Sequence, residues 1–476
     1  MASQAGRYAF DLNIDRVLEH WTVPFAVREV IANALDEQAL TGSAAPEIRL
    51  DASGDWHVRD FGRGLRYQHL SQNESDEKRR SDVVIGQFGV GLKDALAVFE
   101  RRGVGVTIRS RHADVRIGRR SKADFPDVVV LHALVDAPSE PDLVGTDVVL
   151  SGVTEEQVDE AKSLFLLFCG DPVVESTSVG QVLAKQAPDL PGRIYVKGLL
   201  VAEEPNFLFS YNITALNTPL RRALNRERSN VGRTAYTDRV KKILTACSGH
   251  AVAAALSADL AEYETGRVHD EISSWTDVAI HACRMLQTHE KVVFVTAQDL
   301  AAGSPQLVYA RDDGYRLVVV PASVASKLSR LSDLDGNPMV DLSRYRTQWN
   351  DSFSFTFVSG DQLTPGERAV FERAEQIIEL AGGTGVRQVL LSETMRMSES
   401  GDMTLGLWQP AEQTIVVRRD QLASTAAFAG VLLHELSHAT SGETDGSLGF
   451  ENELTRLLGV VAAAALEPAA PEPATV

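Results

Sequence analysis

The sequence predicts a multidomain α+β protein, and three observations support this class. The 476 residues amount to several times the usual domain size, so about three domains with separate cores are expected. Hydrophobic residues make up 44% of the chain and charged residues 24%, which are ordinary proportions for globular domains. Helical and strand-like patterns alternate along the chain, which indicates a mixture of helices and sheets.

The net charge and the cysteine content restrict the partners and the compartment. A formal charge of −18 would repel a phosphate backbone, so nucleic-acid or anionic-membrane binding is disfavoured unless a local basic patch exists. The start of the chain has no apolar signal segment, and no apolar run reaches the length of a membrane span. Three isolated cysteines, Cys169, Cys247 and Cys283, fit a reducing compartment. We therefore expect a cytoplasmic protein without membrane contacts.

Residues 1–150 begin with helical segments and continue as short β-branched runs separated by turns. The runs are EIRLDA, WHVRD, GVTIRS, DVRIG, VVVLHALV and GTDVVLS. This series predicts one sheet with helices against one face.

Three further segments and a tail follow. Residues 151–265 show a second α/β pattern, in which GRIYVKGLLVAEE predicts a hairpin and AYTDRVKKILTACSGHAVAAALSADL predicts helix. Residues 266–389 predict a small α/β spacer that ends in the helix LTPGERAVFERAEQIIELAGG. Residues 390–465 hold the strand QTIVVRR and the helix STAAFAGVLLHELSHATSG, and the Ala/Pro/Glu-rich tail 466–476 is expected to be disordered.

The first long helix, within WTVPFAVREVIANALDEQALTG, carries a polar stripe. Glu29, Asn33 and Asp36 lie at positions i, i+4 and i+7, so they share one face of the helix. A carboxylate and an amide one turn apart can orient a water molecule and bind Mg²⁺. A solvated polar face is the alternative interpretation.

The segment DWHVRDFGRGL places an aspartate at the end of a strand. Asp60 could there accept a hydrogen bond from the exocyclic amine of adenine, and Gly62 and Gly64 permit tight backbone turns. The same pattern also occurs as a purely structural turn, which stays an alternative.

The segment IGQFGVGLKDALAVFERRG is a glycine-rich loop that runs into a helix. Gly86, Gly89 and Gly91 would leave free N–H groups for phosphate at the positive end of the helix, and Lys93 adds a charge. The spacing matches neither a Walker loop nor the dinucleotide-binding fingerprint.

In this order the three motifs resemble those of the GHKL ATPases, the family of gyrase B, the ninety-kilodalton heat-shock chaperone, MutL and the microrchidia proteins. The resemblance implies a Bergerat-type α/β sandwich for residues 1–150 that binds ATP and Mg²⁺ and dimerises on nucleotide. It also implies roles for three residues: Glu29 as general base, Asn33 as Mg²⁺ ligand and Asp60 as adenine partner. The remaining nucleotide-binding positions would be Asp36, Gly62, Gly64, Gly86, Gly89, Gly91 and Lys93, with Gly145 and Thr146 of LVGTDVVLS beside the adenine.

The same resemblance implies two mobile or coupling elements. RYQHLSQNESDEKRRSDVV is similar to the ATP lid of the family, although it could be an ordinary solvated loop. Residues 151–265 would form an S5-like transducer domain that points a cation at the γ-phosphate. Arg226 and Arg228 of LNRERSNVG are the candidates, with Arg228 preferred, and a solvated basic loop is an equal alternative.

The helix near the end of the chain contains the zinc-binding pattern His-Glu-x-x-His. His434 and His438 would project from one face one turn apart, as a tetrahedral metal requires, and Glu435 would act as the base for the attacking water. The pattern is typical of zinc metallopeptidases, and a structural pair of histidines is the alternative.

The third zinc ligand is open among three downstream carboxylates. Asp445, Glu451 and Glu453 compete, and the resemblance to gluzincins favours Glu451 because it stands on a following helix. The spacing is shorter than is usual in that group, which keeps Asp445 as a rival. QTIVVRR resembles the zincin edge strand that pairs with an extended substrate, or it is an ordinary sheet strand.

The two sites together predict an ATPase that gates a zincin-like, zinc-dependent peptidase acting on a protein or peptide substrate. This combination resembles the architecture of bacterial conflict and anti-phage systems. Two other classes stay open: an ATP-driven chaperone or clamp with a structural zinc site, and a microrchidia-like nucleic-acid clamp.

Overall fold

The computed structural model describes residues 8–12, 19–71, 84–85, 91–122, 125–224, 231–382, 385–399 and 401–466. The chain divides into two compact units, Met1–Leu286 and Gln287–Val476. Each unit contains sheets and helices, so the expected multidomain α+β class is confirmed.

The first unit begins with a seven-stranded sheet in the order β1-β6-β5-β4-β7-β3-β2, in which neighbouring strands are antiparallel. All six runs predicted as strands in residues 1–150 belong to it. The strands are β1 (Tyr8–Asp11), β2 (Glu47–Leu50), β3 (Trp56–Arg59), β4 (Gly105–Ser110), β5 (Ala113–Lys122), β6 (Phe125–Asp136) and β7 (Thr146–Ser151).

Helices α1 (Val23–Thr41), α2 (Gln68–Ser71) and α3 (Gly91–Arg101) accompany this sheet. Pro24 occupies the first turn of α1, and Gly42 ends it in the left-handed conformation with φ of 67°. The apolar faces of α1 and α3 share one core with the strands, to which α1 contributes Val27 and Ile31 and α3 contributes Phe99. Two of the three residues of the predicted polar stripe of α1 are buried as well.

The second sheet of this unit has the order β11-β10-β12-β9-β8. Its strands are β8 (Val173–Ser176), β9 (Gly180–Leu183), β10 (Gly192–Val196), β11 (Leu199–Glu204) and β12 (Ser210–Ile213). The predicted hairpin is confirmed as β10 and β11. The helices that precede and follow the sheet are α4 (Glu155–Ser163), α5 (Leu166–Cys169), α6 (Thr218–Ala223), α7 (Arg233–Ala246), α8 (His250–Ala261), α9 (Asp270–Ser273) and α10 (Thr276–His289).

The long helical run that the sequence predicted after the hairpin is two helices, α7 and α8, bent by 114°. The Glu175 carboxylate accepts hydrogen bonds from the N–H groups of Ser248 (2.6 Å) and Gly249 (3.1 Å), which satisfies the amides at the break. Among the described residues no single helix is long and apolar enough to cross a membrane, and α7 with α8 meets that test only as a bent pair.

The second unit contains a parallel pair of strands and a four-stranded mixed sheet in the order β15-β16-β18-β17. The strands are β13 (Val292–Val295), β14 (Arg316–Val319), β15 (Phe357–Val358), β16 (Gln388–Ser392), β17 (Gly406–Gln409) and β18 (Thr414–Arg418). The helices are α11 (Ala297–Ala302), α12 (Pro305–Asp312), α13 (Ala322–Leu328), α14 (Leu342–Ser352), α15 (Pro365–Phe371), α16 (Ala374–Leu380), α17 (Thr425–Ser441) and α18 (Leu448–Leu466).

Three expectations for this unit change. QTIVVRR is an inner strand, β18, which is paired on both sides, and its neighbour β17 is an edge strand. The helix predicted at the end of the spacer is two helices, α15 and α16, and the break brings Ile377 of α16 into one core with Phe428 of α17 and Leu457 of α18. The four-stranded sheet therefore includes β15 and the start of β16, which the sequence assigned to the spacer.

Candidate functional site

Helix α17 carries the predicted metal motif. The Ser424 side chain caps its start by accepting a hydrogen bond from the N–H of Ala427 (3.1 Å), and Gly442 ends it with φ of 71°. Phe428 and Leu432 are fully buried in the core. His434 and His438 are only partly buried and project together from another side of the helix.

Asp445 completes a group of three metal-ligating side chains. Its Oδ1 lies 3.1 Å from Nε2 of His434 and 3.3 Å from Nε2 of His438. All three ligand atoms lie within 4.8 Å of one another, a separation that one tetrahedral ion can bridge. Two imidazoles and one carboxylate fit zinc, and three protein ligands leave the fourth position open to water or substrate.

The other two carboxylates lie outside this group. Glu451, which the sequence analysis chose, is exposed in the first turn of α18. Glu453 accepts hydrogen bonds from Arg456 (2.8 Å) and from the Thr440 hydroxyl (2.8 Å), which together lower its pKa to about 2. The geometry therefore favours Asp445, the rival, because the loop after Gly442 folds back over the histidines.

Two contacts orient the imidazoles. Nδ1 of His438 lies 2.8 Å from the backbone carbonyl of Glu443, so Nδ1 carries the proton and Nε2 is left for a metal ion. The buried Phe450 ring stacks on His438 with 4.5 Å between centroids and contacts His434 with 4.9 Å. Burial lowers the pKa of His434, which favours the neutral, metal-binding form.

Glu435 lies between α17 and the edge of the sheet. It is 6% exposed, and burial raises the pKa of its carboxyl to about 7. The nearby His438 and the backbone N–H of Trp408 in β17 partly offset this rise. Gly406 permits the close approach, because a Cβ there would lie 2.7 Å from Cγ of Glu435 and 2.6 Å from Cγ1 of Val431.

A cleft of about 920 Å³ opens over the histidines and Glu435. β17 forms one wall, and α17 with the loop that follows it forms the other. The apolar part of the lining includes Leu407, Trp408 and Val431. Because β17 is the edge strand of its sheet, an extended peptide could pair with it inside the cleft.

The polar stripe of α1 is engaged in hydrogen bonds. Glu29 is 1% exposed and accepts a hydrogen bond from Nη2 of Arg28 (2.8 Å), a partner that the sequence analysis did not single out. Nδ2 of Asn33 donates to the Glu29 carbonyl (2.7 Å). Oδ1 of Asp36, which is also buried, accepts from the N–H of Ile85 (2.5 Å), the residue before Gly86. The helix is thereby joined to the chain that enters the glycine-rich loop.

Asp60 connects the DFGRG segment to Thr146 of the GT motif by a hydrogen bond. Its Oδ1 accepts hydrogen bonds from the N–H groups of Gly62 (2.9 Å) and Thr146 (3.2 Å), and burial raises the pKa of its carboxyl. The Thr146 hydroxyl accepts from the N–H of Leu65 (2.9 Å). Gly145 lies against the Asp60 backbone where a Cβ would not fit.

Two more contacts surround this site. Gly64 has φ of 83°, a left-handed value that favours glycine, and it lies against the carbonyl of Gly145. The carboxylate of Glu37 in α1 accepts from the N–H and Nε of Arg63, both at 2.9 Å. Hydrogen bonds therefore connect α1, the DFGRG turn and the GT motif.

The third motif is described only at Ile85 and from Gly91 onward. Gly91 is the first residue of α3, and Lys93 is buried, which lowers the pKa of its ammonium group. Gly86 and Gly89, together with both transducer candidates, Arg226 and Arg228, lie outside the described residues. Their assignments stay predictions.

Lys197 is a cation near this site that the sequence analysis missed. It stands at the tip of the β10–β11 hairpin with φ of 51°, an uncommon value for a residue other than glycine. Its Nζ donates to the carbonyl of Val84 (3.2 Å), next to Ile85. The Lys-Gly turn within the predicted hairpin was the signal that could have identified it.

Comparison with known proteins finds relatives in Mycoplasma pneumoniae. Residues 156–250 match the family model described as the Mycoplasma pneumoniae MPN635 N-terminal domain. An uncharacterized protein of Mycoplasma pneumoniae (strain ATCC 29342 / M129) is 36% identical over 239 residues, which cover 49% of this chain and 95% of the relative. A second uncharacterized protein of that strain is 22% identical over 343 residues, which cover 67% of this chain and 96% of the relative.

Proposed function

The chain belongs to the family of the Mycoplasma pneumoniae protein with 36% identity, and from its sites we propose that it is a zinc-dependent peptidase controlled by an ATPase. The peptidase would be the unit Gln287–Val476, with a zincin-like arrangement around α17. The ATPase would lie in Met1–Leu286, with the Bergerat-type fold of the GHKL class.

The observation that carries the peptidase proposal is a cluster of three possible metal ligands beside the buried Glu435 in an open cleft. The three ligands are His434, His438 and Asp445. Zinc held by these three side chains would act as a Lewis acid on water or on a peptide carbonyl. A closed structural zinc site has four protein ligands, whereas only these three side chains meet within the described part of the chain. The open fourth position supports catalysis over a structural role.

Glu435 supplies the proton transfers of this proposal. Its carboxylate lines the cleft beside the ligand group and lies near the backbone N–H of Trp408. It would take a proton from the attacking water and deliver it to the leaving amine. A peptide paired with β17 would lie along the same wall, so the scissile bond would be held near the base.

The ATPase proposal rests on the hydrogen bonds that join the nucleotide motifs. Glu29 would activate water, Asn33 would hold Mg²⁺, and Asp60 would bind adenine, as the resemblance to GHKL ATPases implies. Two observations support this arrangement. Asp36 accepts a hydrogen bond from Ile85 at the start of the glycine-rich loop, and Asp60 accepts one from Thr146. We add Lys197 to Arg226 and Arg228 as a candidate for the cation at the γ-phosphate, since it already reaches Val84.

The proposal is tested by digestion of unfolded protein with the purified full-length chain, with ATP and with or without a zinc chelator. We expect cleavage that the chelator removes and added zinc restores, and none with Glu435→Gln. A protein that binds zinc and hydrolyses ATP but cleaves nothing under these conditions would instead be a clamp or chaperone with a structural metal.

A further inference from the structure

We propose that Glu443 gives the cleft a preference for peptides with a lysine or arginine near the scissile bond. This inference rests on the proposed peptidase function, because it concerns the substrate of the same cleft. Glu443 is exposed and lines the same cleft as Asp445, and its side chain has none of the roles assigned to the metal site.

The backbone of Glu443 is fixed relative to the metal ligands. Its carbonyl accepts the hydrogen bond from Nδ1 of His438 (2.8 Å), and its N–H donates to the Ser441 hydroxyl (3.1 Å). The side chain therefore starts from a backbone position that is fixed beside one of the metal ligands. A substrate group bound by the Glu443 carboxylate would lie close to the reacting peptide bond.

The side chain of Glu443 rests on the start of helix α18. A Cβ on Gly449, the second residue of that helix, would lie 2.9 Å from Cγ of Glu443 and 3.4 Å from its Oε1. The positive end of the helix stabilises a carboxylate at this position. No described residue forms a hydrogen bond or an ion pair with this carboxylate, so it is available to a ligand.

No lysine or arginine of the cleft lining balances the charge of Glu443. Among the residues that line the cleft, all of them described, there are three carboxylates and no lysine or arginine. Asp445 would be neutralised as a metal ligand, and Glu435 works as the base. The apolar wall of Leu407, Trp408 and Val431 would accept apolar side chains of the same peptide. The matching substrate is an extended segment with apolar residues and one basic residue.

Binding is measured with the zinc-loaded Glu435→Gln protein, which should hold peptides without cleaving them. The probes are short fluorescent peptides with an apolar centre that differ only in carrying Lys, Gln or Glu beside it. We expect affinity in the order Lys, Gln, Glu, with steps of about two- to fivefold, the size of a partly solvated ion pair. The steps should shrink as salt is added.

Three further substitutions in the same protein test whether Glu443 causes this preference for basic peptides. Glu443→Gln should remove the steps while its carbonyl keeps the bond to His438, and Glu443→Lys should reverse their order. Glu375→Gln, which changes an exposed carboxylate on α16 away from the cleft, is the matched control and should leave them intact.

Equal affinity for the three peptides, no binding of any of them, or an unchanged preference in Glu443→Gln would overturn the inference. Cleavage of the same peptides by the unsubstituted chain separates this inference from the proposed function. Cleavage without a charge preference would contradict the role of Glu443 but support the proposed peptidase function. Selective binding without cleavage supports the role of Glu443 and contradicts the peptidase.

Discussion

Asp445 differs from the two histidines in how it is held. His434 and His438 stand on the long helix α17, whereas Asp445 stands on a short loop between Gly442 and Gly446, both in the left-handed conformation. Its side chain is 71% exposed, compared with 17% for His438. A ligand on an exposed loop loses more conformational freedom on binding, so Asp445 should contribute less to metal affinity than either histidine.

We predict that the purified chain holds about one zinc ion, as a three-ligand site with one open position does. His434→Ala and His438→Ala should remove nearly all of it, because each removes a ligand from the rigid helix. Asp445→Ala should weaken zinc binding by at least about tenfold. Metal analysis and chelator competition measure these effects, with Glu451→Ala as the matched carboxylate variant. Zinc loss in Glu451→Ala but not in Asp445→Ala would restore the choice made from the sequence.

We predict that Asp60→Asn weakens ATP and ADP binding alike by about tenfold or more, because the amide lacks the second acceptor that adenine needs. Calorimetry with both nucleotides measures this. Unchanged affinity for both would remove Asp60 from the site.

The stability of this variant provides the control. Burial raises the pKa of Asp60 in the folded chain, so the folded state binds more protons than the unfolded state as pH rises from the unfolded pKa through the raised one. The free energy of unfolding contributed by Asp60 therefore falls across that window and stays lowered at neutral pH. The asparagine variant, which can still accept from Gly62 and Thr146, should be at least as stable at neutral pH.

The approach of β17 to α17 sets the shape of the candidate peptidase site at the level of secondary structure elements. At Gly406 the strand packs against Val431 and Glu435 of the helix, and the backbone N–H of Trp408 lies near the Glu435 carboxylate. Phe450, on α18, holds the two imidazoles from another direction. The geometry of the site thus depends on how three elements pack, as well as on the residues that they carry.

We predict that Gly406→Ala separates strand and helix and lowers peptide cleavage by at least about tenfold, because a displaced base loses its orientation. The overpacked contact should also lower the free energy of unfolding by about 1–3 kcal/mol. Zinc should stay bound, since the ligands lie on α17 and its loop. Gly459→Ala in α18, which has open space around it, is the control and should raise stability by about 0.5–1 kcal/mol. Normal cleavage by Gly406→Ala would contradict the positioning of Glu435 by β17.

On the scale of the whole molecule, the two candidate catalytic glutamates belong to different compact units, Glu29 to the first and Glu435 to the second. Each site is supported by contacts inside its own unit. Communication between them would therefore have to come from a change that ATP causes in the first unit. The variants that test this communication must abolish catalysis at one site without unfolding either unit.

Glu29 requires a conservative change, because it pairs with Arg28 and both side chains are 1% exposed. Removing one partner of such a buried pair typically costs about 3–5 kcal/mol, so we choose glutamine, which keeps an acceptor oxygen for Arg28 that alanine would lose. We predict that Glu29→Gln binds ATP without hydrolysing it, and that its rate of substrate cleavage with ATP differs from that of the unsubstituted chain. Asn33→Ala should lose the Mg²⁺–nucleotide complex and cleave at the rate seen without nucleotide.

Glu435→Gln is the converse control for coupling. It should keep zinc and ATP hydrolysis but lose peptide cleavage, because only the base of the peptidase is changed. The idea of coupling would be abandoned if the unsubstituted chain, Glu29→Gln and Asn33→Ala all cleaved one substrate equally with and without ATP.

The sequence alone determined the features that depend on local spacing. The positions of Glu29, Asn33 and Asp36 on α1, of Asp60 after β3, and of His434 and His438 on α17 follow from helical and strand periodicity within one element. Six of the seven strands of the first sheet were predicted for the same reason, since each is a short β-branched run between turns; the exception is β1.

Only the tertiary structure decided which distant groups meet. Asp445 rather than Glu451 joins the histidines because a loop with two left-handed glycines folds back, and no periodicity encodes that path. β17 rather than β18 forms the wall of the cleft because strand order depends on pairing between segments far apart in the chain. Lys197 reaches Val84 across 113 residues for the same reason. Spacing within one element is set by backbone geometry, whereas contacts between residues far apart in the sequence depend on how whole elements bury their apolar faces.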